Sequence, residues 1–192
     1  VAYTHTEGQL TCFVHSGIRW PAAGDILDKR RFLEERHADL KSALMDEPRG
    51  HPAMYGGFIT PPSSPEFDAG IIWTDGHIYN DMCGHGTIAL GMLMVAQGWV
   101  REGKDGRTTI RLETPAGLVT VEVASSAHTA EWTRFENVPA YVAEQDVPVD
   151  VPGYGTLKVD VAFGGNYFAI VKWDDPDLKI DPENGSRFQE LG

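Results

Sequence analysis

The segment from Asn80 to Trp99, NDMCGHGTIALGMLMVAQGW, places the strongest constraint on how this chain can fold. No charged residue occurs between Met82 and Val100, and the run offers no polar stripe at helical spacing. A helix that is apolar on every side has to be covered on every side, so we expect sheet to wrap around it. The glycines, His85 and Gln97 within the run favour a buried helix over a membrane span.

Segments on both sides of this run have the composition of strands. They are QLTCFVHSG, MYGGFIT and DAGIIWT before it, and RTTIRLET, GLVTVEVAS, AEWTRFENV, LKVDVAF and NYFAIVKW after it. Val119, Val121 and Val123 alternate with polar residues, which is typical of a half-buried strand. The pattern predicts an α+β fold with mostly antiparallel strands.

One amphipathic helix is predicted between the first two of these strands. Apolar residues recur at helical spacing from Ile26 to Leu44, and the pattern ends before Pro48. The charged run formed by Lys29–Arg31 and Glu34–Arg36 is expected to be the solvated face of this helix.

The length of 192 residues fits one domain or two small ones. The SSAH patch at residues 125–128 is the best candidate for a boundary. We therefore predict a first domain, 1–124, that carries the Cys83 motif, and the beginning of a second domain, 125–192. The chain starts without a methionine and ends in a short helical segment, so we expect it to be part of a longer protein.

Charge and cysteine content narrow the functional classes. The formal net charge of −12 disfavours binding to nucleic acid or to an anionic membrane. Cys12 and Cys83 are too few for a disulfide framework and lack the spacing of a metal site. A reduced, cytoplasmic location is the expectation.

The chemistry of the chain is expected at Cys83, because C-G-H-G-T opens the apolar helix. Free N–H groups and the positive dipole end at a helix start can hold a carboxylate, and the same field lowers the pKa of a thiol. Gly84 and Gly86 let a small anionic substrate come close to the backbone. This arrangement suits proton transfer at the α-carbon of a carboxylate.

Three other interpretations of Cys83 stay open from the residues alone. It can be a buried structural thiol, as free cysteines often are. It can be a zinc ligand, although Cys-x-His supplies only two of the three or four ligands required. It can be the nucleophile of a Cys–His hydrolase, although residues two apart on a helix do not face each other, so His85 is poorly placed to activate it.

DMCGHGTIAL resembles the first catalytic-cysteine motif of the proline racemase family, which includes hydroxyproline 2-epimerases and trans-3-hydroxyproline dehydratases. Five more segments resemble the family in the same order, so that almost the whole chain is covered. They are HTEGQ at His5–Gln9, EPRGHPAMYG at Glu47–Gly56, TPAGLV at Thr114–Val119, NVPAY at Asn137–Tyr141 and FGGNYFAIV at Phe163–Val171.

The resemblance implies a diaminopimelate-epimerase-like fold: two pseudo-symmetric α+β domains, each with sheet around a central apolar helix. It implies an enzyme without cofactor or metal, homodimeric at full length, that acts on proline or hydroxyproline. Cys83 is then one of two thiol acid/bases acting across the α-carbon. Gly84 and His85 donate backbone N–H groups to the substrate carboxylate, and Tyr55 walls the substrate ring.

The chain also departs from the family pattern. Gln9, Leu10 and Cys12 stand where the family has Glu, Pro and Arg, so Cys12 is not expected to be catalytic. The second motif, Asp-x-Ser-Pro-Cys-Gly-Thr-Gly, does not occur in these residues, which therefore hold half of a site. Besides the racemase or epimerase, a trans-3-hydroxyproline dehydratase and an inactive fragment or binding module remain as alternatives.

Overall fold

The computed structural model describes residues 1–172 and 179–191. The chain divides into two compact units, Val1–Val138 and Pro139–Gly192. The boundary predicted after Ala124 lies inside a strand, Gly117–Ser126, and the residues that follow form a tight turn in which Ala127 and His128 have positive φ. The SSAH patch therefore marks a hairpin within the first unit.

The first unit contains eight strands and three helices. The strands follow the order β1-β2-β3-β4-β6-β7-β8, with β5 paired to β4. The β2–β3 and β4–β6 pairs are parallel and the other pairs are antiparallel. The elements are β1 Ala2–Thr6, β2 Gln9–Val14, α1 Ile26–Arg36, α2 Ala38–Met45, β3 Tyr55–Thr60, β4 Ala69–Asp75, β5 Tyr79–Asn80, α3 Gly84–Ala96, β6 Arg107–Thr114, β7 Gly117–Ser126 and β8 Thr129–Glu136.

Helix α3 is the apolar helix predicted from the sequence, and the sheet wraps around it as expected. It contacts β1, β2 and β3 on one side and β7 and β8 on the other. Val119, Val121 and Val123 point from β7 into this core and are fully buried. At Gly91 an added Cβ would lie 2.8 Å from Val121, so glycine lets the helix and β7 approach closely. Within the described residues, no helix is long and apolar enough to cross a membrane.

Helices α1 and α2 pack on the other face of the sheet, against β3 and β4. A capping box starts α1: the Asp28 N–H donates to Asp25 and the Asp25 N–H donates to Asp28. The single amphipathic helix expected from the sequence is two helices. The chain breaks at His37, whose φ of −141° and ψ of 29° are not helical, and this break lets Met45 of α2 reach the core beside Cys12.

The charged run on α1 is not wholly solvated, contrary to the sequence expectation. Lys29 is only 3% exposed. Its Nζ donates to the carbonyl of Pro61 at 2.7 Å, so the long side chain spans the apolar layer and ends on a loop carbonyl. Arg30 is half-buried and pairs with Asp81 at 2.7 Å. The other charged residues of the run, Arg31 and Glu34–Arg36, are exposed as expected.

The second unit contains an antiparallel sheet of three strands in the order β11-β10-β9. The elements are β9 Tyr141–Val151, β10 Gly155–Phe163, β11 Tyr167–Val171, a short turn of 3-10 helix Pro182–Asn184, and α4 Gly185–Leu191. Tyr141, Phe163 and Tyr167 share one face, with ring centroids 5.2 Å and 5.0 Å apart. Trp173, the last residue of the NYFAIVKW segment predicted as a strand, lies outside the described residues.

Candidate active site

Cys83 is the N-cap residue of α3 and adopts an extended backbone, with φ −142° and ψ 110°. Thr87 fixes this backbone, since its N–H and its Oγ1 donate to the Cys83 carbonyl at 2.9 Å and 2.8 Å. Cys83 is 6% exposed. The sequence prediction that this cysteine stands at the mouth of the apolar helix is confirmed.

The first turn of α3 offers positive potential that no nearby acidic group on the helix neutralises. The first N–H groups of any helix have no intrahelical acceptor, and the dipole adds positive charge there. The first turn of α3 contains no acidic residue, and the Cys83 side chain makes no capping hydrogen bond. The N–H groups of Gly84 and His85 lie in this turn, where a carboxylate could be held.

The His85 ring contacts the thiol, which corrects the expectation that the two side chains do not meet. Cys83 Sγ lies 3.5 Å from His85 Nδ1 and 3.7 Å from Nε2. The helical spacing argument fails because Cys83, as an N-cap with extended backbone, is not part of the helix. Tyr55 packs edge-on against the His85 ring with centroids 4.8 Å apart, so Tyr55, Cys83 and His85 form one cluster.

Burial sets the protonation state of this cluster. It raises the pKa of the Cys83 thiol to about 11, although the nearby Gly86 N–H lowers this pKa and the Asp75 carboxylate adds to the rise. The expected lowering of this pKa is therefore wrong here, because loss of water outweighs the field of the helix end. Burial also lowers the pKa of His85, which makes its imidazole neutral near neutral pH.

Sequence reasoning assigned no role to three residues that border the cluster. Thr6 Oγ1 donates to the His85 carbonyl at 2.9 Å and so ties β1 to the first turn of α3. Phe135 of β8 faces Gly84, where an added Cβ would lie 3.4 Å from its ring. Thr6 lies within the HTEGQ motif and could have been found there; Phe135 had no signal beyond strand alternation.

Asp75 is the third of these residues, at the end of β4. Burial would raise the pKa of its carboxyl, but the amides of Ile78 and His77 and the side chain of Asn80 donate to it and bring the pKa below its ordinary value. A fixed negative charge therefore stands close enough to Cys83 to oppose ionisation of the thiol.

Gly86 is the tightest position of the site. An added Cβ would lie 2.6 Å from the Trp73 ring and 3.1 Å from Cys83 Sγ. Trp73 is fully buried and packs edge-on against Phe13 at 6.0 Å, so it has no room to yield. Glycine at this position lets the thiol lie against the helix.

Neither cysteine is in a disulfide. Cys12 is fully buried with Met45 and Met54 on the α2 side of the sheet, in a cluster of core residues. Among residues 1–172 and 179–191, no group of three or more His, Cys, Asp and Glu side chains could hold a metal ion.

The chain is similar to known proteins over its whole length. The family model described as proline racemase matches residues 1–192. The chain is 55% identical over 192 residues to a 4-hydroxyproline 2-epimerase of Cereibacter sphaeroides, covering 100% of this chain and 57% of that protein. It is 39% identical over 188 residues to a proline racemase of Clostridioides difficile, covering 98% and 56%. The chain thus spans just over half the length of these relatives.

The fold is also that of solved relatives. A crystal structure of a probable proline racemase from Agrobacterium radiobacter K84, with bound carbonate, matches with a TM-score of 0.89 and 26% identity. The match covers 99% of this chain and 56% of that chain. The fold class expected from the resemblance is thereby confirmed. On both sequence and structure, the chain belongs to the proline racemase family.

Proposed function

We propose that this chain supplies the first half of the active site of an amino-acid racemase or epimerase that uses no cofactor and acts on proline or hydroxyproline. The observation that carries the proposal is the Cys83 thiol at the start of α3, beside N–H groups suited to a carboxylate. The 55% identity to a 4-hydroxyproline 2-epimerase supports hydroxyproline as the first substrate to test.

In the proposed reaction, the N–H groups of Gly84 and His85 hold the substrate carboxylate while Cys83, as thiolate, faces the α-carbon. The C–H bond breaks, an S–H bond forms on Cys83, and the electron pair delocalises into the carboxylate. Positive potential at the helix end stabilises the charge that develops there. A second thiol, supplied from outside residues 1–192, then protonates the opposite face and becomes the thiolate.

The buried environment fits such a base. A thiol whose pKa is raised to about 11 is a strong base once it is ionised, and an α-proton is a weak acid. After one turnover the protonation states of the two thiols are exchanged. Reaction of the opposite stereoisomer restores them, so each thiol serves in turn as acid and as base. Tyr55 and Phe135 supply apolar walls beside the thiol and the first turn of α3.

The cellular location, the oligomeric state and the role of the second unit are part of the same proposal. The full-length protein is proposed to be a cytoplasmic homodimer, since both cysteines are unpaired and the family resemblance implies a dimer. The second unit, residues 139–192, is proposed to begin the domain that carries the second thiol. Light scattering on the full-length protein tests the dimer directly.

The experiment is deuterium exchange at the α-carbon in heavy water, with the full-length protein and each isomer of 4-hydroxyproline, 3-hydroxyproline and proline. Wild-type protein should incorporate deuterium with inversion of configuration. Cys83→Ser should abolish both, because serine is a far weaker base than a thiolate. Cys12→Ser is the matched control and should retain exchange, since Cys12 lies in the core cluster beside α2.

Two outcomes would contradict the proposal. Consumption of 3-hydroxyproline to a dehydrated product, without inversion of any substrate, would assign the dehydratase instead. Absence of exchange with every substrate, in a protein shown to be folded, would leave a binding module.

A further inference from the structure

A cleft of about 430 Å³ lies at the end of the first unit opposite Cys83. It is bordered by Met94 and Trp99 at the end of α3, by the loop that follows β2, and by residues at the end of β3 and the start of β4. Because α3 has 13 residues, the two ends of the helix are about 18 Å apart. The cleft is therefore separate from the candidate active site and is not explained by the proposed reaction.

Three of the residues that line the cleft are aromatic. Trp20 and Trp99 line it together with His15, whose ring lies 5.1 Å from that of Trp99. Trp20 is held in place, since it packs on the core cluster under α1 and its ring lies 6.2 Å from Phe32. Indole faces attract cations through their quadrupole, and pockets that bind alkylammonium groups are built from such rings.

The charge of the lining also favours a cation. Asp68 is the one carboxylate among the lining residues, which include no lysine or arginine. Its Oδ2 accepts the Arg111 N–H at 2.7 Å, which orients the carboxylate from the backbone. Lys29 donates to the carbonyl of Pro61, a lining residue, but Lys29 is only 3% exposed.

The C-terminal end of α3 adds negative electrostatic potential to the cleft. Helix C-termini carry partial negative charge, and basic residues often compensate it. The last turn of α3 has no basic residue. Two backbone bonds, from Gly98 to Val95 and from Trp99 to Met94, turn the chain so that Trp99 borders the cleft, and Trp99 remains 40% exposed.

We propose that this cleft binds a small organic cation, of the quaternary or alkyl-substituted ammonium class, between Trp20, Trp99 and Asp68. Its size lies within the range of small-molecule pockets. The apolar groups of the ligand contact the indoles, and its charge is balanced by Asp68 and the end of α3. The inference stands independently of the reaction proposed for Cys83.

The test is calorimetric titration of the full-length protein with choline at about pH 8, where an ordinary imidazole is neutral. The control ligand is the uncharged alcohol in which a carbon atom replaces the choline nitrogen. Binding of choline should saturate at one site and be at least about fivefold tighter than binding of the alcohol, the factor expected from cation–π contact and charge balance.

Variants locate the site. Asp68→Asn keeps an acceptor for Arg111 and removes the charge, and it should weaken choline binding about fivefold. Trp99→Leu should weaken it similarly, whereas Trp132→Leu, at a tryptophan 37% exposed on β8, should not. Circular dichroism confirms the fold of each variant. Equal affinity for choline and the alcohol, no saturable binding, or an equal loss in Trp132→Leu would each overturn the proposal.

Discussion

Replacing Gly86 by alanine tests how the first turn of α3 is packed. The new Cβ would lie 2.6 Å from the Trp73 ring and 3.1 Å from Cys83 Sγ, where about 3.5–4.0 Å is the comfortable separation of non-bonded carbons. Trp73 is fully buried against Phe13. The overlap therefore has to be relieved by moving the helix or the ring.

The expected change in the free energy of unfolding follows from two opposing effects. Overpacking a well-packed core costs about 1–3 kcal/mol, and alanine gains about 1 kcal/mol over glycine within a helix. The difference between these two values predicts that Gly86→Ala lowers the free energy of unfolding by up to about 2 kcal/mol relative to wild type. Gly84→Ala is the matched control, since its Cβ would lie 3.4 Å from Phe135, an ordinary contact. It has no overlap to offset the preference of a helix for alanine, so it should be as stable as wild type or up to about 1 kcal/mol more stable.

The assay is urea unfolding of the full-length protein and both variants, followed by tryptophan fluorescence and compared at the transition midpoints. Gly86→Ala should unfold at the lower urea concentration. It should also lose deuterium exchange at the α-carbon, because the displaced Cys83 thiol no longer faces the α-carbon of the substrate. If Gly86→Ala is as stable as Gly84→Ala, the argument from close packing at Trp73 is refuted.

Three further predictions concern single groups. The rate of Cys83 alkylation, followed by peptide mass spectrometry, should keep rising with pH beyond the ordinary thiol pKa of 9.0 and level off near pH 11. The reason is that only the thiolate reacts and that burial raises the pKa of this thiol. A plateau of the rate by about pH 9 would contradict this. Thr6→Val removes the hydrogen bond to the His85 carbonyl and should lower the free energy of unfolding by about 1 kcal/mol in the same urea assay, whereas an unchanged midpoint would show that the bond is not formed. Asp25→Ala removes the capping box of α1 and should cost about 1 kcal/mol in thermal unfolding, with Asp39→Ala on α2, which makes no capping bond, as the control.

The sequence predicted the central helix well because its apolar run has one physical solution. No polar face exists to meet water between Met82 and Val100, so burial by sheet follows from composition alone. The strands around Val119, Val121 and Val123 were predicted for a similar reason, since their alternation matches the two faces of a sheet. The candidate site residues Cys83, Gly84, His85 and Tyr55 were predicted from a motif as well as from the helix end, and their roles stay predictions.

Several features of the fold and of the candidate site were not predicted, because they depend on residues that are distant in the sequence or on the local backbone and burial. Strand β9 was missed because its exposed polar residues and Pro148 weaken the pattern. Proline is tolerated there because β9 is at the edge of the sheet that the described residues form. The burial of Lys29 depends on the Pro61 carbonyl, 32 residues away. The contact of Cys83 with His85 depends on a backbone angle at the N-cap, and the raised thiol pKa depends on loss of water.

The position of α3 in the chain has a consequence for synthesis on the ribosome. This helix is made before β6, β7 and β8, yet β7 and β8 supply one side of its cover. A nascent chain that ends shortly after Trp99 therefore presents an apolar helix with only the β1, β2 and β3 side available. The first unit can complete its core only when residues near 136 have emerged, so we expect nascent chains shorter than this to be substrates for chaperones that bind apolar segments.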